Sequence, residues 1–155
     1  MIELNVKFLE KYKRLDAICK DMFSSKDGVT QYISAMENTD YRYSRYIGEW
    51  DEIRRQLKHL RWIRNQLSHE MGAFENDICT ETDIKWVDYI YKCIINCTDP
   101  LAKVGKLKRQ QEAQRHQAKQ QNTTAAQSAY TTNTTRENKV SLWEKIKAKI
   151  KKWFS

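Results

Sequence analysis

Four glycines and one proline in 155 residues leave this chain little from which to build tight turns, and that scarcity constrains its fold more than any other feature. Sheets joined by hairpins need such residues at each reversal. Apolar residues instead recur at spacings of three and four, the signature of helices with one buried face. The expected class is all-α. The length suffices for one domain with a real core plus an appendage.

The first helix is expected from Ile2 to Phe23, with Phe8, Tyr12, Leu15, Cys19 and Met22 on one face. Gly28 closes that region. A short second helix over Val29 to Glu37 presents Val29, Tyr32, Ile33 and Met36, and the aromatic-basic run "DYRYSRYIG" that follows reads as a loop. The third helix, Glu49 to Met71, carries the clearest seam: Trp50, Ile53, Leu57, Leu60, position 64, Leu67 and Met71, with Gly72 as its C-cap. A fourth starts behind "TETD", where Thr80 and Asp83 form a capping box. It runs along Val87, Ile90, Ile94, Cys97, Leu101 and Val104, with a kink at Pro100. Residues 1–109 thus form a small four-helix bundle.

The net charge of +8 is unevenly distributed. Residues 1–102 hold 15 Lys and Arg against 17 Asp and Glu, whereas residues 103–155 hold 13 against 3. The bundle is slightly acidic and the tail strongly basic, which fits attraction of the tail to RNA, anionic lipid or an acidic partner. From residue 110 to 139 the composition turns to Gln, Asn, Thr and Ala, expected as a disordered linker. Residues 140–155 regain amphipathicity. Ser141 and Glu144 can form a capping box, Trp143, Ile146, Ile150 and Trp153 make an apolar stripe extended by Phe154, and five lysines face the other way. Such a helix is too short to span a bilayer. It suits peripheral contact with a membrane, and docking on the bundle, a second subunit or RNA fits it equally.

Cys19, Cys79, Cys93 and Cys97 form no CxxC pair and have no histidine near in sequence, so no metal site and no cofactor is expected. The opening "MIELNVKFLEKYKR" has no apolar signal-peptide core, and no stretch approaches a membrane span, which points to a reducing, cytoplasmic setting.

The third helix holds the residues that suggest chemistry. Arg64 occupies a seam position by spacing, and a guanidinium aimed at a core must reach solvent or pair with an acid, for which Asp16 and Asp21 of the first helix are available. Beside it, Arg54, Lys58, Arg61, Asn65 and His69 step by four, three, four and four along one stripe. That stripe is either a solvated basic face or a row of contacts for a nucleic-acid backbone. Tyr43 and Arg45 in the aromatic-basic run could add a stacking surface and a cation for bases, or simply pack on the bundle.

The segment Arg64-Asn65-Gln66-Leu67-Ser68-His69 resembles the R-x4–6-H motif of the HEPN superfamily, including the polar residue after the arginine. The helical order of the first hundred or so residues resembles those bundles too. The resemblance implies a homodimer with both motifs at its interface and metal-independent RNA cleavage, in which the 2′-hydroxyl attacks the adjacent phosphate. Arg64 would then hold the phosphate, His69 would move the proton, and Asn65 would orient His69 or bind a phosphate oxygen. On an ideal helix Arg64 and His69 differ by about 140° and about 7.5 Å of rise, so paired subunits would present them to one phosphate better than a single copy. Two function classes follow: an HEPN-type endoribonuclease, with a toxin or defence role and an antitoxin partner, or a non-catalytic dimeric binding module or membrane-associated scaffold that uses its terminal helix.

Overall fold

A computed structural model describes residues 2–69, 76 and 78–122. The chain divides into two units, Met1–Lys108 and Arg109–Ser155. Among the described residues the regular structure is entirely helical: α1 (Ile2–Phe23), α2 (Gly28–Glu37), a single turn α3 (Tyr41–Ser44), α4 (Trp50–His69), α5 (Glu81–Ile95) and α6 (residues 100–122). In the first unit α1 packs on both α2 and α5, and α4 lies against α1, α2 and α5.

The seam of α1 forms as its period dictates. Phe8, Tyr12, Leu15 and Cys19 are buried, and the expected seam fails only at Met22, which is 46% exposed near the helix end. Val29, Tyr32, Ile33 and Met36 of α2 are all buried against that face. Gly28 permits the approach. A Cβ there would stand 2.0 Å from the Asp16 carbonyl oxygen and 2.8 Å from its carboxylate, so only glycine lets α2 start this close to α1. Asp16 completes the joint by accepting the Val29 N–H at 2.9 Å.

The seam of α4 departs from expectation at one position. Trp50, Ile53, Leu57, Leu60 and Leu67 are buried, but Ile63 is the core residue between Leu60 and Leu67, and Arg64 is exposed. Either position fits a 3.6-residue period, and burial of an isoleucine is favourable where burial of a guanidinium is costly. Met71 and Gly72 lie outside the described residues.

The expected fourth helix is two. Thr80 and Asp83 do form the capping box at the start of α5, with Ile84, Val87, Ile90 and Ile94 buried. At Ile95 the helix stops, Cys97 turns back in the left-handed region with φ 53°, and α6 begins at Pro100. Proline suits a first helical position, where no N–H is needed, and disfavours helix in the residue before it. Asp99 supplies the cap, accepting the Ala102 N–H at 3.3 Å, and its carboxylate accepts the Tyr32 hydroxyl at 2.6 Å with both residues buried. Val104 is buried, and Leu101 and Leu107 pack against the core.

The run expected to start a linker at 110 is instead helical through 122, with every residue from 108 onward exposed. Gln, Ala, Glu, Lys and Arg have high intrinsic helix propensity, and no glycine or proline interrupts them. The remaining linker, to 139, and the helix expected over 140–155 with Trp143, Ile146, Ile150, Trp153 and Phe154 lie outside the described residues.

Candidate functional site

The helix α4 presents three faces. Its core face is described above. A second face carries Arg54, Lys58, Arg61 and Asn65 beside α2, and a third carries Arg55, His59, Trp62 and Gln66 toward the start of α5.

The basic stripe is partly neutralised within the chain. Arg54 pairs with Asp51 at 3.1 Å and Lys58 with Glu37, whose carboxyl Lys58 holds below its ordinary value. Each of these two cations thus has a carboxylate partner within the chain. On the third face, Arg55 pairs with Glu52. Beyond Glu52 the helix carries no acidic residue up to His69. There, among the described residues, Arg61 Nη1 reaches only the Thr30 hydroxyl of α2, at 3.5 Å, and Arg64 Nη1 donates to Asn65 Oδ1 at 3.1 Å.

Arg64, Asn65 and His69 are all exposed at the C-terminal end of α4. Neither Asp16 nor Asp21 pairs with Arg64 among the described residues; Asp16 instead pairs with Lys20 at 2.7 Å. The motif therefore offers an open guanidinium steadied by its neighbouring amide, with the imidazole five residues further along the same helix.

Within electrostatic reach of Arg61 and Arg64 lies a residue expected only as part of the core. Tyr12 is 5% exposed, and its hydroxyl has no hydrogen-bond partner among the described residues. No described side-chain oxygen is both fully buried and unpartnered, so the Tyr12 oxygen sits at the solvent boundary. Burial pushes its pKa up and the Asp16 charge adds to this, while Arg64 and Arg61 pull it back. Tyr12 and the two arginines thus share one electrostatic neighbourhood.

Tyr43 and Arg45 lie in and just after the turn α3, Tyr43 half-buried and Arg45 exposed. Asp40 caps the turn α3 by accepting the Arg42 N–H at 2.8 Å. Tyr43 is half-buried against the core with Lys108 Nζ 5.2 Å from its ring centre. Arg45 lies over Tyr46 at 4.6 Å and donates to its hydroxyl at 2.7 Å.

A second histidine was missed by sequence reasoning. His59 Nε2 lies 3.1 Å from Asp83 Oδ1, and the other oxygen of this buried carboxylate accepts the Thr80 N–H at 2.8 Å and hydroxyl at 2.7 Å. His59 also stacks on the half-exposed Trp62, with ring centres 6.1 Å apart. The capping box was legible, but nothing local joins positions 59 and 83. No cluster of metal-ligating side chains occurs among the described residues, and no described helix is long and apolar enough to cross a membrane.

Residues 6–154 match the model of DUF6548, described as a family of unknown function. The chain belongs to that family. No curated protein and no solved structure matches it. The DUF6548 match takes in the bundle, the Gln/Asn/Thr-rich segment and the basic terminal stretch together.

Proposed function

We propose that this protein is a metal-independent endoribonuclease of the HEPN type, acting as a homodimer whose two α4 helices meet at a shared cleft. One observation carries the reading: Arg64 and His69 stand exposed at the end of α4, in R-x4-H spacing, and among the described residues Arg64 meets only the Asn65 amide oxygen. Arg64 binds the scissile phosphate and stabilises the charge that grows on it. His69 transfers the proton from the attacking 2′-hydroxyl or to the leaving oxygen, as an imidazole can near neutral pH. Asn65 holds Arg64 in place through their hydrogen bond. The enzyme works in the cytoplasm as a toxin or defence effector restrained by an antitoxin partner, with its basic terminal segment contacting RNA or the inner face of the membrane.

The test is cleavage of single-stranded RNA in the presence of EDTA. The wild-type chain should cut, and Arg64→Ala and His69→Ala should each lose about 10²-fold or more. Cleavage surviving both substitutions, or a monomer at micromolar concentration, overturns the proposal. One observation favours a second reading, a non-catalytic dimeric binding module: the His69 side chain has no hydrogen-bond partner among the described residues to orient it. That reading expects RNA binding without turnover.

A further inference from the structure

Trp62 is 52% exposed, and the residues one turn away from it on α4, Lys58, His59, Asn65 and Gln66, are all polar. Its indole lies nearly parallel to the His59 ring, with centres 6.1 Å apart and planes 13° from each other. His59 is in turn held from α5: its Nε2 lies 3.1 Å from Oδ1 of the buried Asp83, whose other oxygen accepts the Thr80 N–H and hydroxyl. An exposed side chain ordinarily changes rotamer within nanoseconds. This one is backed by an imidazole that a helix cap keeps in place.

The same helix carries the Arg64–His69 motif. Trp62 and His69 are seven residues apart, about 20° in rotation and about 10.5 Å in rise on an ideal helix, so they lie on one side of it. Asn65, whose amide oxygen accepts the Arg64 guanidinium, is one turn from each.

A tryptophan that anchors a protein interface sits among other apolar residues, because the centres of such interfaces are poor in charge. Trp62 has ammonium, imidazole and amide groups around it instead. A flat ligand whose edges stay polar and whose neighbours carry negative charge fits that setting, and a base of single-stranded nucleic acid has that form.

We infer that Trp62, with His59 stacked against it, is a base-stacking platform for single-stranded RNA, receiving a base near the phosphate held at the Arg64–His69 motif. The inference deepens the nuclease reading and rests on it for the identity of the ligand. Every base has a face that can stack, so the platform selects unpaired strands rather than a sequence. A duplex keeps its bases stacked on one another and does not reach it.

The test compares binding of the full-length chain to two fluorescein-labelled oligodeoxynucleotides of equal length, one with thymine bases and one abasic throughout. Neither has the attacking 2′-hydroxyl, and both carry the same phosphates, so the ratio of their affinities isolates the bases from the pull of the basic tail. The wild-type chain should bind the base-bearing strand about tenfold tighter, the scale of one base stacked on an aromatic ring. Trp62→Ala should bring the ratio to unity, and Tyr41→Ala, which removes a ring that is 74% exposed elsewhere, should leave it unchanged. By NMR, the Trp62 indole N–H signal of the wild-type chain, assigned by its loss in Trp62→Phe, should shift with the base-bearing strand and stay with the abasic one.

A ratio that Trp62→Ala leaves intact overturns the platform, and a dimer lost in that variant would then assign Trp62 to a contact between subunits. An indole signal that moves equally with both strands overturns it too. RNA cleavage in EDTA, measured in parallel, separates the two claims. Absence of cleavage, with a ratio that still depends on Trp62, removes the nuclease and keeps the platform. His69-dependent cleavage with a ratio indifferent to Trp62→Ala removes the platform and keeps the nuclease.

Discussion

Replacing Tyr32 with phenylalanine isolates the bond that ties α2 to the start of α6, 67 residues away in sequence. The Tyr32 hydroxyl donates at 2.6 Å to Asp99 Oδ2, and the two residues are 0% and 2% exposed. Oδ2 otherwise accepts only the Ala102 N–H, at 3.3 Å. The substitution keeps the ring and its packing against Phe23, 6.2 Å away edge-on. It removes the charge-assisted hydrogen bond to Asp99, together with the hydroxyl's bond with the Leu101 backbone, and leaves a buried carboxylate oxygen with a single long partner. Such a loss costs about 2–3 kcal/mol. For a unit of this size that lowers the thermal midpoint by about 10–20 °C.

Urea and thermal unfolding followed by circular dichroism would measure the loss, with the urea slope unchanged if only stability is altered. Tyr89→Phe is the comparison, since its hydroxyl bonds Glu49 at 3.0 Å in an exposed position; it should cost less than about 0.5 kcal/mol. Equal effects from the two variants would refute the reasoning that burial of the acceptor sets the cost. The pH dependence adds a second check. Burial, with the Asp99 charge adding to it, pushes the Tyr32 pKa above its ordinary value near 10. Below that value the phenol is protonated whether folded or unfolded. Above it the unfolded chain loses the proton first, so Tyr32 destabilises the fold as pH rises, and Tyr32→Phe should flatten this alkaline slope.

Three further outcomes follow from the same structure. Gly28→Ala should cost about 1–3 kcal/mol in urea unfolding, because its Cβ would collide with the Asp16 backbone, whereas Gly48→Ala meets nothing within 4 Å and should have a much smaller effect. Thr80→Ala should cost about 1 kcal/mol by removing the hydroxyl that accepts the Asp83 N–H and donates to the Asp83 carboxylate. Burial pushes the Cys19 thiol up to about 12, so its contribution to stability is complete below the ordinary thiol pKa of about 8.5 and is lost as pH climbs toward the folded value. In native protein near neutral pH a thiol reagent should label exposed Cys97 and spare buried Cys19 and Cys79 until the chain unfolds.

The parts of this fold that could be read from sequence are those in which one helix carries its own instruction. The repeat along Phe8, Tyr12, Leu15 and Cys19 needs no knowledge of a partner, and the Thr80–Asp83 capping box is complete within four residues. Errors arose where local signals compete. Apolar spacing continues from Val87 to Val104 as if through one helix, yet Asp99-Pro100 offers a cap and a first helical position together, and the chain takes that option. Past residue 110, low apolar content argued against a buried element. It does not argue against an exposed helix of good helix formers, which is what residues 110–122 are. The pairing of His59 with Asp83 depends on how helices cross, and spacing within one helix carries no information about that.

The exposure of Arg64 changes what its presence means. A buried guanidinium would have demanded a structural partner, and Ile63 removes that demand by taking the core position. Part of the remaining positive character of α4 has a simple origin, since cations near a helix C-terminus are favoured by the dipole by about 0.3–1 kcal/mol. That effect falls off within the last turn. It accounts for His69 far better than for Arg61, two turns earlier. Were both arginines only solvated ends of a surface helix, Arg61→Gln and Arg64→Gln would change stability by no more than about 0.5 kcal/mol and alter nothing else. A small stability change accompanied by a tenfold or larger loss of nucleic-acid contact would mean that the acid-free half of α4 leaves its cations unpaired for a ligand.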